Sequence, residues 1–174
     1  MTDGGPGPSD PTDPTDASGT RPLPALADEP YAEPFWTGTR DGELRLQWCR
    51  DCGEPQFFPR PWCRFCGCED LEWRVASGEG RVYAYTTVRR VVQEPAFGEE
   101  IPYVLAYVDI AEGPRMFTAL VDCEPETVEN GMPVTVVFDR VTDEVVLPKF
   151  RPAEPGAADG ADDGGGSRES GERE

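Results

Sequence analysis

Cys49-Arg50-Asp51-Cys52-Gly53 and Cys63-Arg64-Phe65-Cys66-Gly67 are two copies of one short pattern, and together they decide how this chain folds. Each copy is a Cys-x-x-Cys pair closed by glycine, and ten residues separate the two pairs. A two-residue spacer lets both thiolates of a pair face one ion, and glycine permits the positive backbone φ that closes such a knuckle. The sequence therefore predicts one metal site with four ligands, Cys49, Cys52, Cys63 and Cys66.

The kind of metal follows from the ligand set. Four thiolates fill a tetrahedral ion and leave no position for water or substrate, so the pattern indicates a structural Zn²⁺. Iron in a rubredoxin-like site is an alternative, because thiolates also bind iron. Two disulfides are a second alternative, which the lack of a recognisable secretory signal disfavours.

The remaining two cysteines are weaker candidates. Cys68 could replace Cys66 as a ligand, but Cys66-Gly67 repeats the Cys52-Gly53 pairing and so favours Cys66. Cys123 follows an apolar run, which is typical of a small buried residue rather than of a nucleophile.

Composition divides the 174 residues into a core and two tails. Residues 1–30 and 153–174 are rich in Gly, Ala, Pro, Asp, Glu and Ser and poor in large apolar residues. Such segments bury too little apolar surface to offset chain entropy, so we expect both acidic tails to be disordered. The net charge of −18 also disfavours nucleic-acid binding, which needs a basic surface to neutralise phosphates.

Histidine is absent from the whole sequence. This excludes a Ser-His or Cys-His catalytic pair, a histidine metal ligand and an imidazole general base supplied by this chain. No apolar run approaches the length of a membrane span, and no export signal is recognisable, so we expect a cytoplasmic location and no membrane contact.

The first half of the core contains an arm and a metal module. Residues 31–43 are interpreted as a short helical arm, whose Phe35 and Trp36 either pack on the chain's own ribbon or contact a partner. Residues 44–76 are interpreted as a zinc ribbon, with alternating strands before the first knuckle and after the second. A module this small depends on its metal for stability.

The second half, residues 77–152, has the pattern of a small barrel. Three strand-like segments precede a helical turn at 124–129 that ends at Asn130-Gly131, and two more strands follow. The segments are 81–92, 102–110, 115–121, 133–138 and a last one beginning at 144. Three strands, a short helix and two strands is the order of an OB-fold, with an SH3-like barrel as the competing architecture. The predicted fold class is therefore mainly β.

Several landmarks in this order resemble one known family, the rubredoxin-like zinc-ribbon plus OB-fold proteins long called domain of unknown function 35. The resemblance runs from about Phe35 to Arg151. Its carriers are Phe35-Trp36, Gly42-Glu43-Leu44, the two knuckles, Pro59-Arg60, Leu71-Glu72-Trp73, Gly78-x-Gly80, Tyr85-Thr86, Gly131-Met132-Pro133-Val134 and Leu147-Pro148-Lys149-Phe150-Arg151-Pro152.

The resemblance implies a function through a partner. Members of the family act as accessory subunits of thiolase-like enzymes, including acyl-CoA thiolases and the sterol-carrier-type homologues that serve as aldolases in steroid side-chain degradation. It implies that this chain is a non-catalytic subunit of a hetero-oligomer that processes acyl-CoA. The missing histidine agrees with chemistry located in the partner.

Contact with CoA and two other functions remain open from sequence alone. CoA carries phosphates, so the cations Arg89, Arg90, Lys149 and Arg151 are candidate contacts, although charges on a solvated strand edge explain them as well. The other two functions are binding of single-stranded nucleic acid, as OB-folds and zinc ribbons do elsewhere, and electron transfer through an iron-thiolate site.

Overall fold

A computed structural model describes residues 23–24, 29–90 and 101–154 of the chain. Within these ranges, one helix, α1 (Glu33–Asp41), precedes eight strands, and two short 3-10 helices lie at Pro30–Ala32 and Pro125–Thr127. The strands are β1 (Arg45–Cys49), β2 (Pro55–Gln56), β3 (Leu71–Val75), β4 (Glu79–Val88), β5 (Tyr103–Ile110), β6 (Arg115–Leu120), β7 (Pro133–Arg140) and β8 (Val146–Pro152).

Helix α1 corresponds to the predicted arm. It begins beside Pro34, whose fixed φ suits a first helical turn. It ends at Gly42, which has a φ of 79°, and the following amide of Glu43 donates to the carbonyl of Gly38 at 2.8 Å. Phe35 is buried and its ring lies 5.7 Å from that of Phe57, so this anchor packs on the chain's own ribbon.

The metal module is a three-stranded antiparallel sheet in the order β2-β1-β3. Strand β1 pairs with β3 over its full length, from Arg45 opposite Val75 to Cys49 opposite Leu71. Both of these strands were expected from sequence, whereas the two-residue β2 was not. The first knuckle begins at the end of this sheet, because Cys49 is the last residue of β1.

The remaining five strands close into a barrel in the order β4-β5-β6-β8-β7. Strand β4 pairs with β5 along most of its length and with β7 near its start, which closes the ring. Strands β6 and β8 pair in parallel through Leu120 and Phe150, while the other pairs are antiparallel. This arrangement is the OB-fold. The predicted fold class is confirmed.

One buried cluster joins the helix, the ribbon and the barrel. Phe35 of α1 and Leu46 of β1 belong to the same cluster as Val82, Val108 and Phe150 of the barrel. The guanidinium of Arg40 in α1 also donates to the carbonyl of Glu144, at 3.3 Å. Since the parts share a core, loss of order in the ribbon also exposes apolar surface of the barrel.

Several predicted bounds change in detail. The helical turn expected at 124–129 is a 3-10 helix of three residues, and the fourth barrel strand extends to Arg140. The first barrel strand covers Glu79–Val88 rather than 81–92, and residues 91–92 lie outside the described ranges. The tails expected to be disordered also lie largely outside them, and the domain boundaries set from sequence remain predictions. Among the described residues, no helix is long and apolar enough to cross a membrane.

Candidate metal centre

The two knuckles have the same backbone geometry. In the first, the amide of Gly53 donates to the carbonyl of Cys49 at 2.9 Å, and in the second the amide of Gly67 donates to that of Cys63 at 3.0 Å. The two glycines have φ values of 75° and 79°, in the left-handed region that favours glycine. The glycine that closes each knuckle in sequence therefore closes it in structure as well.

A second pair of hydrogen bonds extends the match and explains the role of Cys68. The amide of Cys49 donates to the carbonyl of Glu54 at 3.1 Å, and the amide of Cys63 donates to that of Cys68 at 2.8 Å. Cys68 thus occupies in the second knuckle the place of Glu54 in the first. Its sulfur accepts from the amide of Asp70 at 3.3 Å.

Four cysteine sulfurs meet between the knuckles. Those of Cys49, Cys52, Cys63 and Cys66 all lie within 4.8 Å of one another, and Cys68 is not in this group. The sulfur of Cys49 is 3.5 Å from that of Cys66, and the sulfur of Cys52 is 3.6 Å from that of Cys63. Thiolates about 2.3 Å from a tetrahedral ion lie roughly 3.8 Å apart, so this donor set fits Zn²⁺.

The sulfurs influence one another's protonation. Burial acts to raise the pKa of the Cys63 thiol, but backbone N–H groups of Cys66 and Phe65 and the neighbouring thiols lower it to about 7. For Cys66, the backbone N–H of Cys68 acts to lower the pKa, while burial and the other three sulfurs raise it to about 12. Four thiolates this close ionise together only when a cation lies among them.

A buried pair of glutamines beside the knuckles was missed from sequence. Gln47 of β1 and Gln56 of β2 lie opposite each other, and each exposes 3% or less of its surface. In the alternating segment Leu44-Arg45-Leu46-Gln47-Trp48, Gln47 is one of the polar residues, which are typical of a solvated strand face. The structure buries it, because the chain between the knuckles folds over that face and bonds to it.

The four cations considered for CoA occupy two regions of the barrel. The guanidinium of Arg89 lies 2.5 Å from a carboxylate oxygen of Glu126. Nζ of Lys149 lies 2.7 Å from Oδ2 of Asp139. Arg90 and Arg151 are exposed. Two of the four are therefore already paired with carboxylates, and contacts to CoA phosphates stay a prediction.

Comparison with known proteins follows the same two-part division. Residues 36–72 match a family model described as the ChsH2 rubredoxin-like zinc ribbon domain, and residues 73–139 match one described as the ChsH2 C-terminal OB-fold domain. The chain belongs to the ChsH2 zinc-ribbon/OB-fold family, also called DUF35. The resemblance recognised from the sequence is confirmed. The four cysteines and the barrel are thus the two parts of a ribbon/OB-fold module.

Three curated relatives are informative. A DUF35 domain-containing scaffold protein of Pyrococcus furiosus is 38% identical over 126 residues, which are 68% of this chain and 90% of that protein. A probable enoyl-CoA hydratase alpha subunit of Thermomonospora curvata is 38% identical over 136 residues, 78% of this chain but only 41% of that protein. The benzoylsuccinyl-CoA thiolase subunit BbsA of Geobacter metallireducens is 33% identical over 72 residues, 41% of this chain and 46% of that protein.

A solved structure resembles this chain in both fold and sequence. A chain of the Ltp2-ChsH2(DUF35) aldolase has a TM-score of 0.66 and 35% sequence identity, and the match covers 75% of this chain and 98% of that one. The match therefore spans almost the whole length of a DUF35 chain in that aldolase structure.

Proposed function

We propose that Cys49, Cys52, Cys63 and Cys66 hold a structural Zn²⁺. The mutual closeness of their sulfurs supports this, together with the matched closure of both knuckles. A bound zinc ion would fix the two knuckles relative to each other and present no open position for a reactant. The centre would therefore stabilise the ribbon without taking part in a reaction.

Metal analysis tests the identity of the ion. We expect the purified full chain to contain stoichiometric zinc and to be colourless, because Zn²⁺ has a filled d shell. The measurement is elemental analysis by mass spectrometry, together with an absorption spectrum in the visible range. Stoichiometric iron with the colour of an iron-thiolate site would support the electron-transfer alternative and reject a zinc centre.

We further propose that the chain is a non-catalytic accessory subunit that binds and supports a thiolase-like enzyme acting on acyl-CoA. The observation that carries this proposal is the 35% identity to a DUF35 chain over 98% of its length in the Ltp2-ChsH2 aldolase structure. The relatives named as hydratase and thiolase subunits support the acyl-CoA class of substrate. The partner enzyme in this proposal is either a thiolase or a sterol-carrier-type aldolase of steroid side-chain degradation.

The residue composition of the chain agrees with a non-catalytic role. No histidine is present, and four protein ligands would leave the metal closed to substrate. The six cysteines are free thiols in the structure, and a thiolate metal centre requires reduced cysteines. We therefore also propose a cytoplasmic location, where thiols stay reduced.

An exposed aromatic face on the barrel supports partner binding. Tyr107 of β5 and Phe117 of β6 are neighbours across the strands, with ring centroids 5.0 Å apart, and both are exposed. Beside them, the guanidinium of Arg115 lies over the exposed ring of Tyr83 and bonds to the carboxylate of Asp109. Contiguous exposed apolar surface marks protein interaction sites, and the charges of Arg115 and Asp109 offset each other beside it.

Co-purification tests the partner. We expect the full chain, expressed with a thiolase-like protein encoded beside it, to elute with that protein as one complex in size-exclusion chromatography. Phe117→Ser should weaken the complex without zinc loss, because it removes a large apolar side chain from the aromatic face. Val75→Ser is the matched control, since Val75 is 58% and Phe117 55% exposed.

Two outcomes would contradict the partner proposal. A chain that elutes alone, and that changes neither the solubility nor the activity of the neighbouring enzyme, would reject the accessory role. Equal losses of complex with Phe117→Ser and Val75→Ser would reject the aromatic face as the contact surface while leaving the accessory role in place.

A further inference from the structure

The glutamine pair forms a closed polar network beneath the linker between the knuckles. The side-chain amide of Gln56 donates to Oε1 of Gln47 at 2.8 Å. Gln47 and Gln56 are 3% and 2% exposed, and their backbones are register partners of β1 and β2. Buried side-chain amides are costly unless bonded, so the remaining contacts of this pair matter for the fold.

Every other bond of the pair goes to the backbone between or within the knuckles. Gln47 accepts from the amide of Arg60 at 2.9 Å and donates to the carbonyl of the same residue at 3.0 Å. Gln56 donates to the carbonyl of Trp62 at 3.2 Å and accepts from the amide of Arg64 at 2.8 Å. Arg64 lies inside the second Cys-x-x-Cys pair, so this network reaches the second knuckle itself.

The position of these bonds indicates what they do. The first knuckle continues directly from β1, but Cys63–Cys66 lies outside the strands of the ribbon sheet. The two side chains bond to the linker and to Arg64 much as a neighbouring strand would. They therefore set the distance between the sheet, which carries Cys49, and the segment that carries Cys63.

We propose that Gln47 and Gln56 are positioning residues for the metal centre, which place the second knuckle against the first so that the four sulfurs converge. This inference rests on the proposed zinc centre and adds to it the residues that orient the ligands. Partners outside the ligand set that orient metal ligands change metal affinity by about 10- to 100-fold when they are removed.

The decisive variant is Gln56→Met, which keeps an unbranched side chain of similar length and removes its three bonds. Thr118→Val is the matched control, because Thr118 is a buried polar residue of the barrel whose hydroxyl donates to the carbonyl of Pro148 at 3.0 Å. Both substitutions replace a buried hydrogen-bonding side chain by an apolar one. Only the first touches the network beside the knuckles.

The measurement is a Co²⁺ titration of the reduced, metal-free full chain, followed by the thiolate-to-metal absorption band and then by displacement with Zn²⁺. We expect Gln56→Met and Gln47→Met each to weaken metal affinity by about 10- to 100-fold, and Thr118→Val to leave it unchanged. The double Met variant should lose little more than either single variant, because the two side chains act as one unit. Because metal binding can restore the fold, the absorption bands of the Co²⁺-saturated variants are compared as well. Misplaced sulfurs should shift these bands, whereas weaker affinity with parent-like bands would show a loss of stability alone and would overturn the inference.

The outcomes separate this inference from the zinc centre itself. If both Met variants had parent-like metal affinity and only a lower melting temperature, the two glutamines would contribute to stability alone, and the inference would be overturned. Additive losses in the double variant would overturn the claim that the pair acts as a unit. A parent chain that binds no metal would overturn the zinc centre, and the positioning role with it.

Discussion

Cys52→Ser is expected to abolish zinc binding and, with it, the order of the ribbon and the capture of the partner. A hydroxyl is a poor replacement for a thiolate at a zinc ion, and zinc supplies roughly 10–16 kcal/mol of apparent free energy to zinc-finger peptides. Cys52 is the informative ligand to replace because it is exposed, whereas Cys49 and Cys63 are buried. The loss then reports on the metal rather than on packing in the core.

Cys68→Ser provides the matched control for that substitution. Cys68 lies two residues beyond Cys66, yet its sulfur is outside the cluster and accepts from the amide of Asp70. We expect this variant to keep stoichiometric zinc and parent-like partner binding. We compare both variants by zinc content from elemental analysis and by hydrogen exchange over residues 44–75. If Cys52→Ser retained zinc and an ordered ribbon, the four-cysteine assignment would be wrong.

The loss of zinc should also lower the stability of the barrel. Leu46 of the ribbon and Phe35 of α1 share one buried cluster with Val82 and Phe150, so an unfolded ribbon exposes part of the barrel core to water. We therefore expect Cys52→Ser to lower the stability of the barrel as well, although none of its strands carries a ligand.

The features that were predictable from sequence are those encoded by neighbouring residues. A knuckle needs two cysteines at a fixed spacing and a glycine with positive φ, and all of these lie within five residues. Strand β5 was predictable for a similar reason, because Val104, Ala106 and Val108 alternate inward along it. Local rules of this kind do not depend on the rest of the fold.

The features that were missed depend on contacts between distant residues. Gln47 bonds to Arg60, 13 positions away, and only the folded linker turns its polar strand face into an interior. Arg89, considered for a CoA phosphate, pairs with Glu126, which is 37 positions away. Strand β2 is two residues long and contains a proline, so it has no alternation to detect. In each case the signal exists only after the chain has folded.

Gly80→Ala should strongly destabilise the barrel through crowding alone, because β4 meets both of its neighbours at this residue. Gly80 is opposite Ile110 of β5 and also opposite Val134 of β7, where the barrel closes. A Cβ at this position would lie 2.6 Å from Cγ1 of Val108 and 2.8 Å from the carbonyl oxygen of Asp109. Neither contact can be relieved by a flexible side chain, since Val108 is fully buried and the second atom belongs to the backbone.

Gly131→Ala is the control that separates crowding from backbone conformation. Gly131 has a φ of 83°, but a Cβ there would meet nothing within 4 Å, so the substitution introduces conformational strain alone. We expect Gly131→Ala to lower the free energy of unfolding by about 1 kcal/mol and Gly80→Ala to lower it by about 3 kcal/mol. Urea unfolding of the zinc-loaded chains, followed by far-UV circular dichroism, measures both.

The ranking of these two variants tests the barrel closure itself. Gly80 does not have a φ in the left-handed region, so its requirement for glycine comes from the closeness of β5 rather than from backbone conformation. Gly78, two residues earlier, combines both constraints, with a φ of 77° and a Cβ position 2.5 Å from Cγ1 of Val136. If Gly80→Ala proved no more destabilising than Gly131→Ala, β4 and β5 could not approach as closely as the closed barrel requires.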